Sequence, residues 1–123
     1  MKKKALVTGG SGFLGSHLSD ILSKNKFNVS LLDTKKSKYK KKNQKMILGN
    51  IKSKKKLIKL TKNVDIIFHF AGIADIDEAN KNPIKTIETN IQGTVNVMEA
   101  CVKNKIKKMI FASSIYELSE QGG

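Results

Sequence analysis

Three glycines at intervals of three, Gly9, Gly12 and Gly15, stand between a short apolar run and a stretch of helical periodicity, and no other feature narrows the fold as far. The run before them, Lys4-Ala5-Leu6-Val7-Thr8, is stopped by glycine, which is the pattern of a buried strand. After Gly12, the residues Phe13, Leu14, Leu18, Ile21 and Leu22 recur at helical spacing, with Asn25 near the end. A chain passing this directly from strand to helix needs a residue free of side-chain clashes at the turn, which is the role of Gly9. Gly12 lets the backbone approach an anion closely, and Gly15 lets helix and strand pack together. The N–H groups that open the helix, around Phe13 and Leu14, lack partners in the preceding turn. They make the loop a candidate pyrophosphate site.

The remaining pattern repeats the alternation. Phe27 to Leu32 reads as a second strand closed by Asp33, and Met46-Ile47-Leu48 as a short third. Thr34 to Lys45 is lysine-rich without periodicity and is expected to be a loop. Ser53 to Thr61 predicts a brief helix with Ser53 as N-cap and Leu57, Ile58 and Leu60 for burial. Val64 to Phe70 predicts a fourth strand, and Lys108 to Ser113 a fifth. Between them the longest periodic segment runs from Pro83 to about Lys103, with proline in the first turn, where its missing N–H is no loss. Ile84, Ile87, Ile91, Val95, Met98 and Val102 form one stripe there, and Thr94, Val97 and Cys101 widen it. This predicts a helix buried over more than one face. Strand, helix, strand, repeated, implies parallel strands joined by right-handed crossovers: an α/β fold with a doubly wound parallel sheet of about five strands. At 123 residues, without a repeat or a long linker, the chain is expected to form a single domain.

Charge and composition exclude more than they assign. The chain carries 24 basic and 10 acidic residues, a net charge of +14, and every basic residue is lysine. Arginine's planar fork reads guanine edges and grips phosphates bidentately, so its absence argues against specific nucleic-acid recognition. Thirteen lysines and no acidic residue lie between Lys35 and Lys62. A solvated lysine surface is the expectation, with non-specific polyanion attraction the alternative. Lys, Ile and Asn all have A/T-rich codons, which explains their abundance without a ligand. No run of 18 apolar residues exists to span a membrane, and the apolar run behind Met1-Lys2-Lys3-Lys4 is too short for a signal peptide. One cysteine, Cys101, makes no internal disulfide and suits a reducing cytoplasm; its place on the helix stripe marks it as core. His17 and His69 have no partners at metal-ligand spacing, so both are expected to be packed or hydrogen-bonded, and no metal is expected. Asp75, Asp77 and Glu78 are expected to form a solvated loop, Asn90 to be structural, and Ser113 to end its strand.

Asp33 completes the nucleotide reading. It lies 18 positions after Gly15, at the end of the second strand, in the range for a carboxylate that holds a ribose diol. A carboxylate repels a 2′-phosphate, which favours NAD over NADP, although Lys35 and Lys36 lie close by and soften that preference.

At this point the sequence resembles the extended short-chain dehydrogenase/reductase family, the NAD-dependent sugar-nucleotide epimerases and dehydratases, which have a Rossmann-type fold. The resemblance runs from Ala5 to about Tyr116 and covers the first part of a family member. Thr8 to Gly15 matches the family's Thr-Gly-x-x-Gly-x-x-Gly loop, continuing through Gly15-Ser16-His17-Leu18, and Asp33 matches its ribose-binding acid. Leu48-Gly49-Asn50-Ile51 resembles its Gly-Asp-Ile/Val element, which contacts adenine, with Asn50 in place of the usual Asp. An amide still bonds an adenine edge, with altered polarity. His69-Phe70-Ala71-Gly72 resembles the motif beside the cofactor at the end of strand four. Asn90-Ile91-Gln92-Gly93-Thr94-Val95-Asn96 matches the helix signature Asn-x-x-Gly-Thr-x-Asn, and Phe111-Ala112-Ser113-Ser114 resembles the start of the strand-five active-site motif.

The resemblance implies NAD binding through Gly9, Gly12, Phe13, Leu14, Gly15, Asp33, Asn50, Ile51, Phe70, Ala71 and Gly72. It implies Ser114 as the hydroxyl that bonds the substrate, and a full-length homodimer acting on a nucleotide sugar. The family's general acid/base is a Tyr in Tyr-x-x-x-Lys, its pKa lowered by the lysine and the cofactor charge. Here Asn43 follows Tyr39 by four and Glu120 follows Tyr116 by four, so the 123 residues contain no such pair. The expectation is a partial dinucleotide-binding domain over 1–123, C-terminally incomplete, without a substrate domain and without the helix that would lie beside Pro83–Lys103. The alternatives are a non-catalytic dinucleotide-binding module and a lysine-rich polyanion binder.

Overall fold

A computed structural model of the chain describes residues 2–70 and 80–111. Five strands, β1 (Lys4–Thr8), β2 (Asn28–Asp33), β3 (Gln44–Leu48), β4 (Ile66–His69) and β5 (Lys108–Phe111), form one sheet in the order β3-β2-β1-β4-β5. Every pairing is parallel. The helices are α1 (Phe13–Lys24), α2 (Lys54–Leu60), α3 (Pro83–Ile87) and α4 (Gly93–Lys103), with a π-helical turn at Glu88–Gln92 joining α3 to α4. The chain leaves β1 toward β2 and β3, then crosses back to β4 on the other side. The crevice between the carboxyl ends of β1 and β4 is therefore the topological switch point, where such sheets bind ligands.

Strand alternation divides the core between the two faces of the sheet. One face carries Leu6, Leu32 and Ile67 against Ile51, Leu57, Val97, Ala100 and Cys101, and so lies under α2 and α4. The other carries Ala5, Val7, Val29, Leu31 and Phe68 against Leu22 of α1. The register row Val7, Phe68, Ile110 on the α1 face runs outward from 0% through 9% to 48% exposure, because no described helix covers β5 on that side.

The two long helices correct the expected facing. In α1 the buried residues are Gly15, Ser16, Ser19 and Leu22, while Phe13, Leu14 and Ile21 are exposed. Ser16 and Ser19 donate to the carbonyls of Phe13 and Gly15, so their hydroxyls are satisfied within the helix and the small side chains let it lie close to the sheet. In α4 the buried face is Gly93, Asn96, Val97, Ala100 and Cys101. The stripe Ile84, Ile87, Ile91, Val95, Met98 and Val102 is exposed, so among the described residues the helix buries one face against the sheet and the second is uncovered.

Both helices end in the same way. Lys26 and Lys105 take left-handed φ values of 68° and 57°. Phe27 N–H donates back to Leu22, and Ile106 N–H to Cys101. These are Schellman ends with lysine at the position glycine favours, each locked by the apolar residue that follows. The expected loop 34–45 is shorter than predicted, since β3 begins at Gln44. Gln44 is buried because its amide donates to Asp20 and Ser23 of α1, contacts that a polar residue in a lysine-rich stretch does not advertise. The helix at 54–60 begins after Ser53 as expected, though the serine makes no side-chain cap bond.

Candidate functional site

The glycine loop is hooked onto the neighbouring strand: Gly9 N–H and Gly10 N–H both donate to the Leu32 carbonyl, at 2.8 and 3.3 Å. Gly9 has φ 71°, the turn the sequence requires of it. A Cβ on Gly15 would stand 2.3 Å from the Gly9 carbonyl oxygen, so the start of α1 rests directly on the loop backbone. Gly12 differs. A Cβ there would meet only the Gly9 oxygen at 3.4 Å, an ordinary contact, so this residue opens onto free space at the mouth of the helix. Phe13 and Leu14 flank that mouth with exposed side chains. Gly10, which the spacing argument passed over, is also close-packed, its Cβ position 2.7 Å from Cβ of Leu31. Only the strand pairing identifies it.

Asp33, at the end of β2, points back at the loop. Its carboxylate accepts Ser11 N–H at 3.1 Å through one oxygen and Thr34 N–H at 2.7 Å through the other. Lys35 follows, its carbonyl accepting the Ser11 hydroxyl. A fixed carboxylate beside an open helix N-terminus offers a hydroxyl-binding acceptor next to an anion site, and these residues fit a dinucleotide's ribose and pyrophosphate.

At the end of β3, Asn50 is exposed and its Oδ1 accepts Lys52 N–H at 2.9 Å, closing the turn into α2. Ile51 is buried beneath Gly93, and its carbonyl accepts the Asn96 amide at 3.0 Å. Lys56, one lysine among many in the sequence, donates to the Leu48 carbonyl at 2.6 Å and so sets a cation at this corner. All the lysines from Lys35 to Lys62 are exposed, as a solvated surface requires; Lys52 and Lys54 pair with Glu88 and Glu99.

At the end of β4, His69 is 2% exposed and hydrogen-bonded on both nitrogens: Nδ1 lies 2.7 Å from Thr8 Oγ1 and Nε2 lies 3.0 Å from Thr94 Oγ1. Its ring stacks on Phe111, and burial holds its pKa below the ordinary value. The structural role expected of it is the role it has. His17 is exposed with its ring edge-on to Phe13. Phe70 N–H bonds both the carbonyl and the hydroxyl oxygen of Thr8. Ala71, Gly72, Asp75, Asp77, Glu78, Ser113 and Ser114 lie outside the described residues. Cys101 is core, its thiol pKa raised by burial. A recess of about 430 Å³ lined by Lys2, Lys3, Asn25, Lys26 and Phe27 lies at the opposite, amino-terminal edge of the sheet, away from the glycine loop. Among the described residues no helix is long and apolar enough to cross a membrane.

Comparison with known proteins places this arrangement. Residues 5–122 match the NAD dependent epimerase/dehydratase family. The UDP-N-acetyl-alpha-D-glucosaminuronate decarboxylase of Bacillus cytotoxicus is 40% identical over 93% of the chain, and 37% of that enzyme is covered. A bifunctional UDP-glucose 4-epimerase and UDP-xylose 4-epimerase of Pisum sativum is 34% identical over 91% of the chain, with 37% of it covered. Among solved structures, the Thermus thermophilus UDP-glucose 4-epimerase in complex with NAD superposes with a TM-score of 0.85 at 29% identity, covering 95% of this chain and 40% of that one. The chain thus spans little more than a third of the length of the curated relatives it matches.

Proposed function

The chain belongs to the NAD dependent epimerase/dehydratase family, and from that premise we propose that it is the NAD-binding portion of an oxidoreductase acting on a nucleotide sugar. The observation that carries this reading is the open glycine loop, with Gly12 facing free space at the start of α1 and Asp33 anchored beside it. In this reading Gly9, Gly12, Phe13, Leu14 and Gly15 surround the pyrophosphate, and Asp33 accepts from the adenosine ribose. Asn50 and Ile51 border adenine, while Phe70, Ala71 and Gly72 line the path toward the nicotinamide. When bound, the nicotinamide supplies reversible hydride transfer. Ser114 bonds the substrate hydroxyl, and the dinucleotide-binding domain spans residues 1–123. The UDP sugars named for the relatives support a nucleotide sugar as substrate. The Asp33 carboxylate, by charge repulsion of a 2′-phosphate, supports NAD over NADP.

The test is a calorimetric titration of the full-length protein with NAD and NADP. Binding of NAD is expected, with the Gly12→Asp variant losing it by at least about a hundredfold, since a carboxylate would occupy the mouth of the anion site. Asp is a favourable N-cap, so this variant keeps α1 intact and loss of binding is not loss of fold. A wild-type protein that ignores both dinucleotides would sink the reading.

The same reading includes a homodimer in a reducing cytoplasm. Its support is the exposed stripe from Ile84 to Val102, with Ile84 at 71% and Val102 at 81% exposure, an apolar surface long enough to seat a second copy. Sedimentation should return a dimer that Ile91→Glu converts to monomer. A wild-type monomer at micromolar concentration refutes this part alone.

A further inference from the structure

The helix signature Asn90 to Asn96 does not touch the glycine loop directly, yet its hydrogen bonds reach the ends of β4 and β1 through His69 and the corner after β3 through Asn96. One arm runs through His69. The Thr94 hydroxyl donates to the Asn90 carbonyl at 2.6 Å, inside the π-helical turn. With its only hydrogen committed there, Thr94 Oγ1 must accept from His69, which makes Nε2 the protonated ring nitrogen. Burial disfavours the imidazolium, so Nδ1 carries no proton and takes the Thr8 hydroxyl at 2.7 Å. Thr8 is the last residue of β1, directly before the Gly9 turn, and stands opposite His69 in the register. The second arm runs through Asn96, whose Nδ2 donates to the Ile51 carbonyl while its Oδ1 accepts the Gln92 amide, both at 3.0 Å. Gly93 allows the helix this close, since a Cβ there would stand 2.3 Å from Ile51 Cδ1.

Resting on the reading that this edge binds a dinucleotide, we propose that the turn Asn90–Asn96 is a brace that sets the spacing of the site: Thr94, through the Nε2–H tautomer of His69, positions Thr8 and the glycine loop, and Asn96 positions the Asn50–Ile51 corner. A ligand that touches both places at once binds well only if their separation is held. Thr94 and Asn96 are therefore positioning residues for a ligand they do not touch, and π-helical turns recur at such places because they re-aim the groups of one helical turn without ending the helix.

Two measurements on the full-length protein test this. The imidazole ¹⁵N spectrum should show His69 as the Nε2–H neutral tautomer, and Thr94→Val should disturb that signature while Thr94→Ser restores it. NAD affinity, measured well below the melting temperature of each variant, should fall about tenfold for Thr94→Val and for Asn96→Ala, with Thr94→Ser close to wild type. A purely structural role would lower the melting temperature and leave the affinity of the folded protein unchanged, and that result overturns the proposal. A wild-type Nδ1–H tautomer overturns it too, and needs no variant to fold. If wild type binds no dinucleotide, the functional reading falls and the brace falls with it; if wild type binds and Thr94→Val binds equally, only the brace falls.

Discussion

Helices α1 and α4 lie on opposite faces of one sheet, both set small residues against it, and both end in a Schellman turn closed by lysine. They differ at the other end. α1 starts at the carboxyl edge of the sheet, with Gly12 as its N-cap and no side chain capping its first N–H groups. α4 has no free start, because the π-helical turn carries it on from α3, and it serves the same edge with the side chains of Thr94 and Asn96. One helix brings a backbone dipole to the site and the other brings side-chain hydrogen bonds from behind it. A helix can thus furnish a site either by beginning there or by passing it.

The sharpest test of this contrast compares the glycines that seat the two helices. Gly15→Ala drives a methyl into the Gly9 carbonyl, which is backbone and cannot yield. Overpacking of about 3 kcal/mol against a helix-propensity gain of about 1 kcal/mol leaves a net loss of about 2 kcal/mol in urea unfolding. Gly93→Ala meets Cδ1 and Cγ1 of Ile51, a buried side chain that has to shift, so overpacking of about 2 kcal/mol against the same propensity gain of about 1 kcal/mol leaves a smaller net loss of about 1 kcal/mol. Equal losses at the two positions would show that the two helices are seated alike.

A smaller effect separates the residues just past each helix. Asn104 donates to the Ile58 carbonyl and the Thr61 hydroxyl, tying α4 to α2, whereas Asn25 donates only back to Ile21 of its own helix. Asn104→Ala is expected to cost about 1 kcal/mol and Asn25→Ala under about 0.5 kcal/mol. Where the helices are alike, the effects should be alike: Lys26→Gly and Lys105→Gly each relieve a left-handed lysine and should stabilise by about 0.5–1 kcal/mol. Last comes acid. The folded pKa of His69 is lowered from 6.5 by burial, so the unfolded chain binds the proton first. Stability is full above about pH 6.5 and declines as pH falls toward the lowered value; His69→Gln should flatten that limb in thermal melts.

The sheet and the loop were legible because their signals are local. Apolar runs stopped by glycine mark β1 and β4, and the glycine intervals and Asp33 mark the turn and its neighbour. The facing of the helices was legible only in part: Leu18, Leu22, Val97 and Cys101 pack into the core as the spacing predicts, and the large apolar residues beside them do not. A periodicity reading takes large apolar residues as the inner face, but here Gly15, Ser16 and Ser19, and later Gly93, Asn96 and Ala100, are inside because closeness to the sheet, rather than bulk, is what the site requires. The partners of His69 were equally hidden, since Thr8 is 61 residues away and Thr94 is 25. A sequence shows that a histidine is placed among apolar neighbours, and only the register shows which hydroxyls meet it. Ala71, Gly72 and Ser114 lie outside the described residues and stand as proposals.

The bond from Asn96 to the Ile51 carbonyl spans 45 residues of chain. During synthesis at roughly 5–20 residues per second, Asn96 is added about 2–9 s after Ile51. Once Leu60 has been added, the residues of the β3–α2 corner are all present for the rest of that interval, but not the amide that holds it. On the ribosome the glycine loop is therefore complete in sequence long before either arm that braces the edge exists, and its phosphate and base ends are set together once Thr94 and Asn96 have been added.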